Sequence, residues 1–312
     1  MSAPQEPEAY LDPPRKTLAG RLVALAQRRR SRSPLVEKAL LFVALVLFGV
    51  GLMLALVNLP PLRLDHRWPL FLGGAVVTAV ATIAVNGLEF TASARLLGSP
   101  VSAAVAFRTT VMAAAANVLP LPGGALVRAR ALRQEGHAYR KALSTTLSIG
   151  VIWVGIASVL AGLFLVVRGP ARLGLVLGVG GVVLLGVAYV ILRSQVGGAA
   201  LRALVRFTLI EVLSVSTTSV RLLFLLLAID VHPTWSQAFA LALSGIVASA
   251  TGLFPGGLGL REVLSGAMAG AVGLAVALGV LVAALDRVLN MAVLGLASAV
   301  LQARGSDATL KR

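Results

Sequence analysis

The sequence predicts an all-α polytopic membrane protein, and three observations carry that prediction. Of 312 residues, 58% are hydrophobic and only 13% charged, about half the charged share of a soluble domain. Mean hydropathy is +0.91. Apolar runs long enough to cross a bilayer recur along the chain, about 20 helical residues being sufficient.

Residues 1–38 read as a disordered basic cytoplasmic tail. The first apolar run follows too late, and is too long, for a cleaved signal peptide. The cluster Arg28-Arg29-Arg30-Ser31-Arg32 suits retention in the cytoplasm and attraction to anionic lipid heads. Its basic residues lack interleaved aromatics, so no nucleic-acid partner is expected.

Residues 39–302 read as one membrane domain and 303–312 as a short cytoplasmic tail. Six full spans are expected at about 39–59, 69–90, 142–167, 173–192, 207–229 and 274–301. Two further apolar segments, 101–135 and 234–270, are each broken by Pro and Gly. The first break contains Pro120, Pro122, Gly123 and Gly124; the second contains Pro255, Gly256, Gly257 and Gly259. Broken helices in a bilayer need protein or water around their freed backbone groups, so both segments read as re-entrant hairpins.

Charge counting orients the chain. With both termini cytoplasmic, 20 Lys and Arg fall on the cytoplasmic side and four outside, at Arg63, Arg67, Arg168 and Arg172. The other four (Arg108, Arg221, Arg261, Arg287) lie in or beside apolar segments. This asymmetry follows the positive-inside rule and predicts a plasma (inner) membrane protein.

A shift of 133 residues aligns the two broken segments without gaps. Pro100 falls on Pro233, Pro122-Gly123-Gly124 on Pro255-Gly256-Gly257, and Arg128 on Arg261. Three expected spans separate the segments. An odd number inverts the second unit relative to the first, so an inverted-topology repeat is expected, with repeat 1 at about 69–192 and repeat 2 at about 207–301. Such repeats place substrate sites near the midplane, at interrupted helices.

The residue types at the breaks suit an anion. A helix start exposes unpaired N–H groups and a partial positive charge. Arg128 and Arg261 each lie four residues beyond the last Gly of a Pro-Gly-Gly, about 6 Å along a helix, and a guanidinium fork fits a phosphodiester. Two readings stand for each Arg, phosphate binding or snorkelling to the interface. Two also stand for Glu262, complementing its helix N-terminus or pairing with an Arg. Arg221, Asp286 and Arg287 are deep charges, and such residues face a partner or a water-filled cavity. Adjacent Asp286 and Arg287 point in different directions on a helix, and Asn290 shares the face of Asp286. Glu89, Arg95 and Glu211 lie near span ends and are expected at the interface.

The chain has no Cys, and His66, His137 and His232 are far apart in sequence. Thiolate catalysis and Cys-based metal centres are thereby excluded, and neither a metal site nor a cofactor is expected. No Gly-rich loop ends in Gly-Lys-Ser or Gly-Lys-Thr, so direct use of ATP is not expected. No clustered carboxylates for Mg²⁺ and no nucleophile–base set are evident, so no catalytic residue is assigned.

The broken motifs resemble those of the transmembrane, flippase-like domain of lysyl-phosphatidylglycerol synthases, over about residues 38–302. The first family motif is matched by Asn117, Pro120, Gly124 and Arg128, with Ala125 where the family usually has Glu. The second, Pro-Gly-Gly-x-Gly-x-x-Glu, is intact in Pro255, Gly256, Gly257, Gly259 and Glu262, and Arg287 matches a late family Arg. The resemblance implies a translocase that moves a phosphate-bearing lipid head group between leaflets, with membrane lipids as partners. It implies head-group contacts from Asn117, Pro120, Gly123, Gly124 and Arg128, and from Pro255, Gly256, Gly257, Gly259, Arg261 and Glu262. Only ten residues follow the expected membrane domain, so the soluble aminoacyl-transferase domain of full-length synthases, and lysyl transfer, are not expected. The alternatives are an accessory subunit of a separately encoded lipid-modifying or glycosyl-transfer enzyme and an integral membrane transferase.

Overall fold

In the computed structural model, residues 63–117, 123–134, 139–251 and 257–310 are described, with seven helical positions between 42 and 57. The described residues are helical and contain no strand. They form α1 (Trp68–Leu97), α2 (Ala103–Ala116), α3 (Gly123–Gln134), α4 (Tyr139–Arg168), α5 (Ala171–Val196), α6 (Ala200–Ala228), α7 (Trp235–Thr251), α8 (Leu260–Ala271) and α9 (Val276–Leu310). Local sequence sets several of these boundaries. Pro69 stands in the first turn of α1, where its missing N–H would be unpaired in any case. Gly98 ends α1 in the left-handed conformation, and Ser102 caps α2 by accepting from the Val105 N–H.

Four stretches are long and apolar enough to cross a membrane: Trp68–Leu97, Lys141–Arg168, Ala171–Ala228 and Val276–Leu301. The third is two helices, because Gly197 departs from helical geometry (φ 55°, ψ −126°) between α5 and α6. Val77, Val80, Val176, Val179, Val183, Leu209 and Leu296 stand exposed on these helices. Exposed apolar area on this scale suits lipid better than water.

Expected spans at 69–90, 142–167, 173–192, 207–229 and 274–301 fall on α1, α4, α5, α6 and α9. The helices outrun those spans. α1 continues to Leu97, α6 begins at Ala200, and α9 continues to Leu310, through most of the segment expected to be a tail. Apolar runs mark only the part of a helix that needs burial, whereas hydrogen bonding continues into polar flanks. The expected span at 39–59 and the tail at 1–38 lie largely or wholly outside the described residues.

Each broken segment is a pair of short helices. α2, α3, α7 and α8 have 14, 12, 17 and 12 residues, about 18 to 26 Å of rise against a hydrocarbon core of about 30 Å. α7 and α8 double back on each other. Gln237 Nε2 donates to the Val272 carbonyl at 3.1 Å, where α7 begins and α8 ends. Further along, the Ser244 and Ser265 hydroxyls bond at 2.7 Å, and Gly257 reaches Ala248. α2 and α3 also pack together, Ala106 and Leu132 sharing one apolar cluster. Gly123 and Gly124 permit this: a Cβ on Gly123 would collide with the Ala116 carbonyl, and one on Gly124 would come 2.9 Å from that of Ala113.

The two pairs open toward opposite ends of α4. Ala106 and Leu132 cluster with Ala142 and Leu143, near its start. Ser236, at the start of α7, bonds the carbonyl of Arg168, its last residue, at 3.5 Å. α4 has 30 residues, about 45 Å of rise, so the two open ends lie far apart along the bundle.

The 133-residue shift also carries helix onto helix. Trp68 falls on Leu201, the second residue of α6, and Ala103 on Ser236, the second residue of α7. Arg168 falls on Leu301, where the apolar part of α9 ends. α1–α4 thus match α6–α9 in order and approximate length, and α5 stands outside the pattern.

α4 and α5 pack against each other through Gly155, Gly162, Gly174 and Gly181. A Cβ on Gly162 would lie 2.6 Å from the Gly174 carbonyl oxygen. Small residues let backbones approach where no hydrophobic gain drives association. Leu at Gly162 is expected to lower the thermal unfolding temperature in detergent, overpacking costing about 1–3 kcal/mol. Ala at Gly180, with nothing within 4 Å of its Cβ position, is expected to leave that temperature nearly unchanged.

Candidate functional site

The deep charges assemble into two buried clusters. The first gathers α6, α8 and α9, and touches α1. Asp286 on α9 is wholly buried; its Oδ1 accepts from Arg221 Nε of α6 and its Oδ2 from Arg261 Nη2 of α8. Arg221 Nη1 donates to Thr82 Oγ1 on α1 at 2.8 Å. Beside this triad, Glu262 on α8 is also wholly buried. Its Oε2 accepts from the Gly259 N–H at 2.8 Å, and its Oε1 from Arg287 Nε at 3.1 Å. Both readings of Glu262 are therefore realised in one side chain. Asp286 and Arg287 diverge as expected for helical neighbours, one to the triad and one to Glu262. Asn290 donates to the Asp286 backbone carbonyl at 2.7 Å, so its amide serves the helix and leaves the ion pairs to others.

Three guanidinium groups face two carboxylates, leaving one surplus positive charge. Arg261 Nε is buried without an acceptor, while the side chain as a whole is 15% exposed. Gly245 gives it room, a Cβ there coming 3.2 Å from Nε. Gly257 and Gly259 hold φ of 68° and 78°, a region costly for residues with a Cβ.

The second cluster gathers α1, α3 and α6. Arg128 Nη1 donates to Glu89 Oε1, and Glu211 interacts electrostatically with both. Glu89 and Glu211 are 6% and 1% exposed, and Glu211 Oε1 has no hydrogen-bond partner. Two carboxylates and one guanidinium leave a surplus negative charge here.

Several expectations change. Glu89 and Glu211 are buried rather than interfacial, because α1 and α6 pack along their length and turn these positions inward. Arg128 neither snorkels nor reaches back to the break: a buried carboxylate across the α1–α3 contact holds it. The helix starts are not open anion sites throughout. Asn117 Oδ1 accepts from the Gly124 N–H at 2.8 Å, as Glu262 does from Gly259, so internal acceptors take one donor at each. Pro120, Pro255 and Gly256 lie outside the described residues.

Thr82, which completes the Arg221 contacts, had no signal in sequence. Glu89 and Glu211 had one, as acidic residues in mainly apolar helices.

The fold brings His232 near residues distant in sequence. The Asp65 N–H bonds the Ala228 carbonyl at 3.3 Å, which ties the start of α1 to the end of α6. Asp65, Asp230 and His232 thereby bring one potential ligand atom each within 4.8 Å of one another. Asp230 and His232 are exposed, so water solvates them.

No family model matches the chain, and no curated protein matches it.

Ala at Asp286 is expected to destabilise the protein by about 3–5 kcal/mol, because two buried guanidinium groups lose their anion. Ala at Asn290 should cost only about 0.5–1.5 kcal/mol, one ordinary hydrogen bond. Chemical unfolding of the purified variants measures both.

Proposed function

We propose that the chain is a lipid translocase, with the Arg261 cluster as its head-group site. The observation that carries this is the surplus positive charge beside a broken helix, with an unpartnered N–H on Arg261. Even on lenient scales a charge at the bilayer centre costs about 2.5–3.5 kcal/mol, and a phosphate-bearing head group would offset it. The guanidinium offers a planar fork to phosphate, and the lipid chains remain in the bilayer. The resemblance of Pro255-Gly256-Gly257-x-Gly259-x-x-Glu262 to the lysyl-phosphatidylglycerol synthase membrane domain points the same way. No bond-making step is assigned to the chain.

The transport cycle follows from an inverted repeat. The proposed units are α1–α4 and α6–α9, with α5 as connector. Three long helices, α4, α5 and α6, separate the two broken pairs, and those pairs open toward opposite ends of α4. Set in a plasma membrane with cytoplasmic termini, α2–α3 enters from the cytoplasm and α7–α8 from outside. Rocking one unit against the other would expose the Arg261 cluster to each leaflet in turn.

Two measurements test these statements. Purified protein in liposomes should exchange fluorescent anionic or polyprenyl-phosphate lipids between leaflets. Ala at Arg261 should slow exchange at least about tenfold, the weight of one lost charge-assisted contact, and Lys there should restore it only in part. Absence of exchange for every lipid by folded protein would transfer support to the accessory-subunit alternative. For topology, the absence of Cys makes single cysteines clean reporters. An impermeant thiol reagent applied to intact cells should label Cys placed at Asp230 and spare Cys placed at Arg193.

A further inference from the structure

The second cluster has a charge problem of the opposite sign, and a different remedy. Glu211 is 99% removed from solvent by its 1% exposure, and its Oε1 points to no donor. The charged groups acting on it are Glu89 from α1 and Arg128 from α3. Arg128 is already committed to Glu89. With all three groups ionised, the cluster holds one negative charge more than its guanidinium can balance, together with one unused carboxylate oxygen. A guanidinium does not release its proton in a protein, so the surplus is relieved only by adding positive charge. Two interacting carboxylates can do this by sharing one proton.

We propose that Glu211 and Glu89 form a proton-binding site, and that its occupancy is linked to head-group movement at the Arg261 cluster. The linkage, though not the proton site itself, rests on the translocase assignment. Two helices connect the clusters. α1 carries Glu89 and, seven residues earlier, Thr82, the acceptor for Arg221. Seven residues are two turns on nearly one face, about 10 Å of rise. α6 carries Glu211 and Arg221 ten residues apart, about 15 Å. A change in charge at Glu211 acts on the two helices that also hold Arg221. Neutralising Glu211 frees Glu89 to hold Arg128 alone; ionising it sets two carboxylates competing for one guanidinium. The first state tightens the α1–α3 contact and the second loosens it, so the α2–α3 pair is the element that proton uptake biases.

Infrared difference spectroscopy on the full chain in nanodiscs tests the site. A deuterium-sensitive C=O stretch of a protonated carboxyl is expected in the wild type and should vanish in Glu211→Gln. Asp at Glu211 should keep it, which guards against a variant that merely misfolds, and Asn at exposed Asp230 should leave it intact. A missing band, or one untouched by Glu211→Gln, overturns the proton site. For the linkage, an imposed pH gradient across proteoliposomes should redistribute labelled lipid by up to about tenfold per pH unit, the limit for one coupled proton. Glu211→Gln and Glu89→Gln should exchange lipid at symmetric pH without that response. A response retained in Glu211→Gln, or one driven by sodium instead, overturns the linkage. A Glu211-dependent band with no lipid exchange at all supports the proton site and sinks the translocase assignment.

Discussion

The carboxylate of Asp286 is the interaction on which the rest of the C-terminal half depends. It is wholly buried on α9 and accepts from guanidinium groups on α6 and α8 at once. Arg221 extends the contact to α1 through Thr82. One side chain thus joins four helices that share little continuous sequence. Each ion in such a set would be costly alone, because low dielectric penalises unpaired charge and strengthens paired charge together. The constraint acts on position: α8 cannot shift along α9 without leaving Arg261 or Arg287 unpaired.

The broken segments are the second constraint. A helix of 12 residues is too short to cross a bilayer alone, and α3 and α8 fold back on α2 and α7 with small residues at the contacts. In return they bring helix interiors carrying Arg128 and Arg261 to the neighbouring long helices. Matching positions in the two pairs meet different partners. Arg128 finds a carboxylate on α1, and Arg261 finds one on α9. The result is two clusters of opposite surplus charge. That difference is set by which long helix supplies the acid.

Much of the fold is legible in the chain because the bilayer is a severe solvent. Runs of apolar residues announce long helices, and Pro with Gly announces the breaks, since backbone groups without water must bond internally. Asp286 and Arg287 were recognisable as deep, divergent charges from helical spacing alone. The fates of Glu89 and Glu211 were not. Position along a helix estimates depth in the bilayer, but burial depends on which face a neighbouring helix covers. The neighbourhood of His232 was hidden for a related reason: the bond between the Asp65 N–H and the Ala228 carbonyl joins chain segments more than 160 residues apart.

By itself the sequence determined the helical class, the positions of the breaks and the list of charges that burial must accommodate. These follow from hydropathy, Pro and Gly, which act locally along the backbone. Only the tertiary structure decided the pairing: Arg128 with Glu89, Arg221 and Arg261 with Asp286, Arg287 with Glu262, and Glu211 left with an unpaired oxygen. A guanidinium accepts any carboxylate within reach, so partner choice lies in the packing of helices, which brings distant residues to a few ångströms.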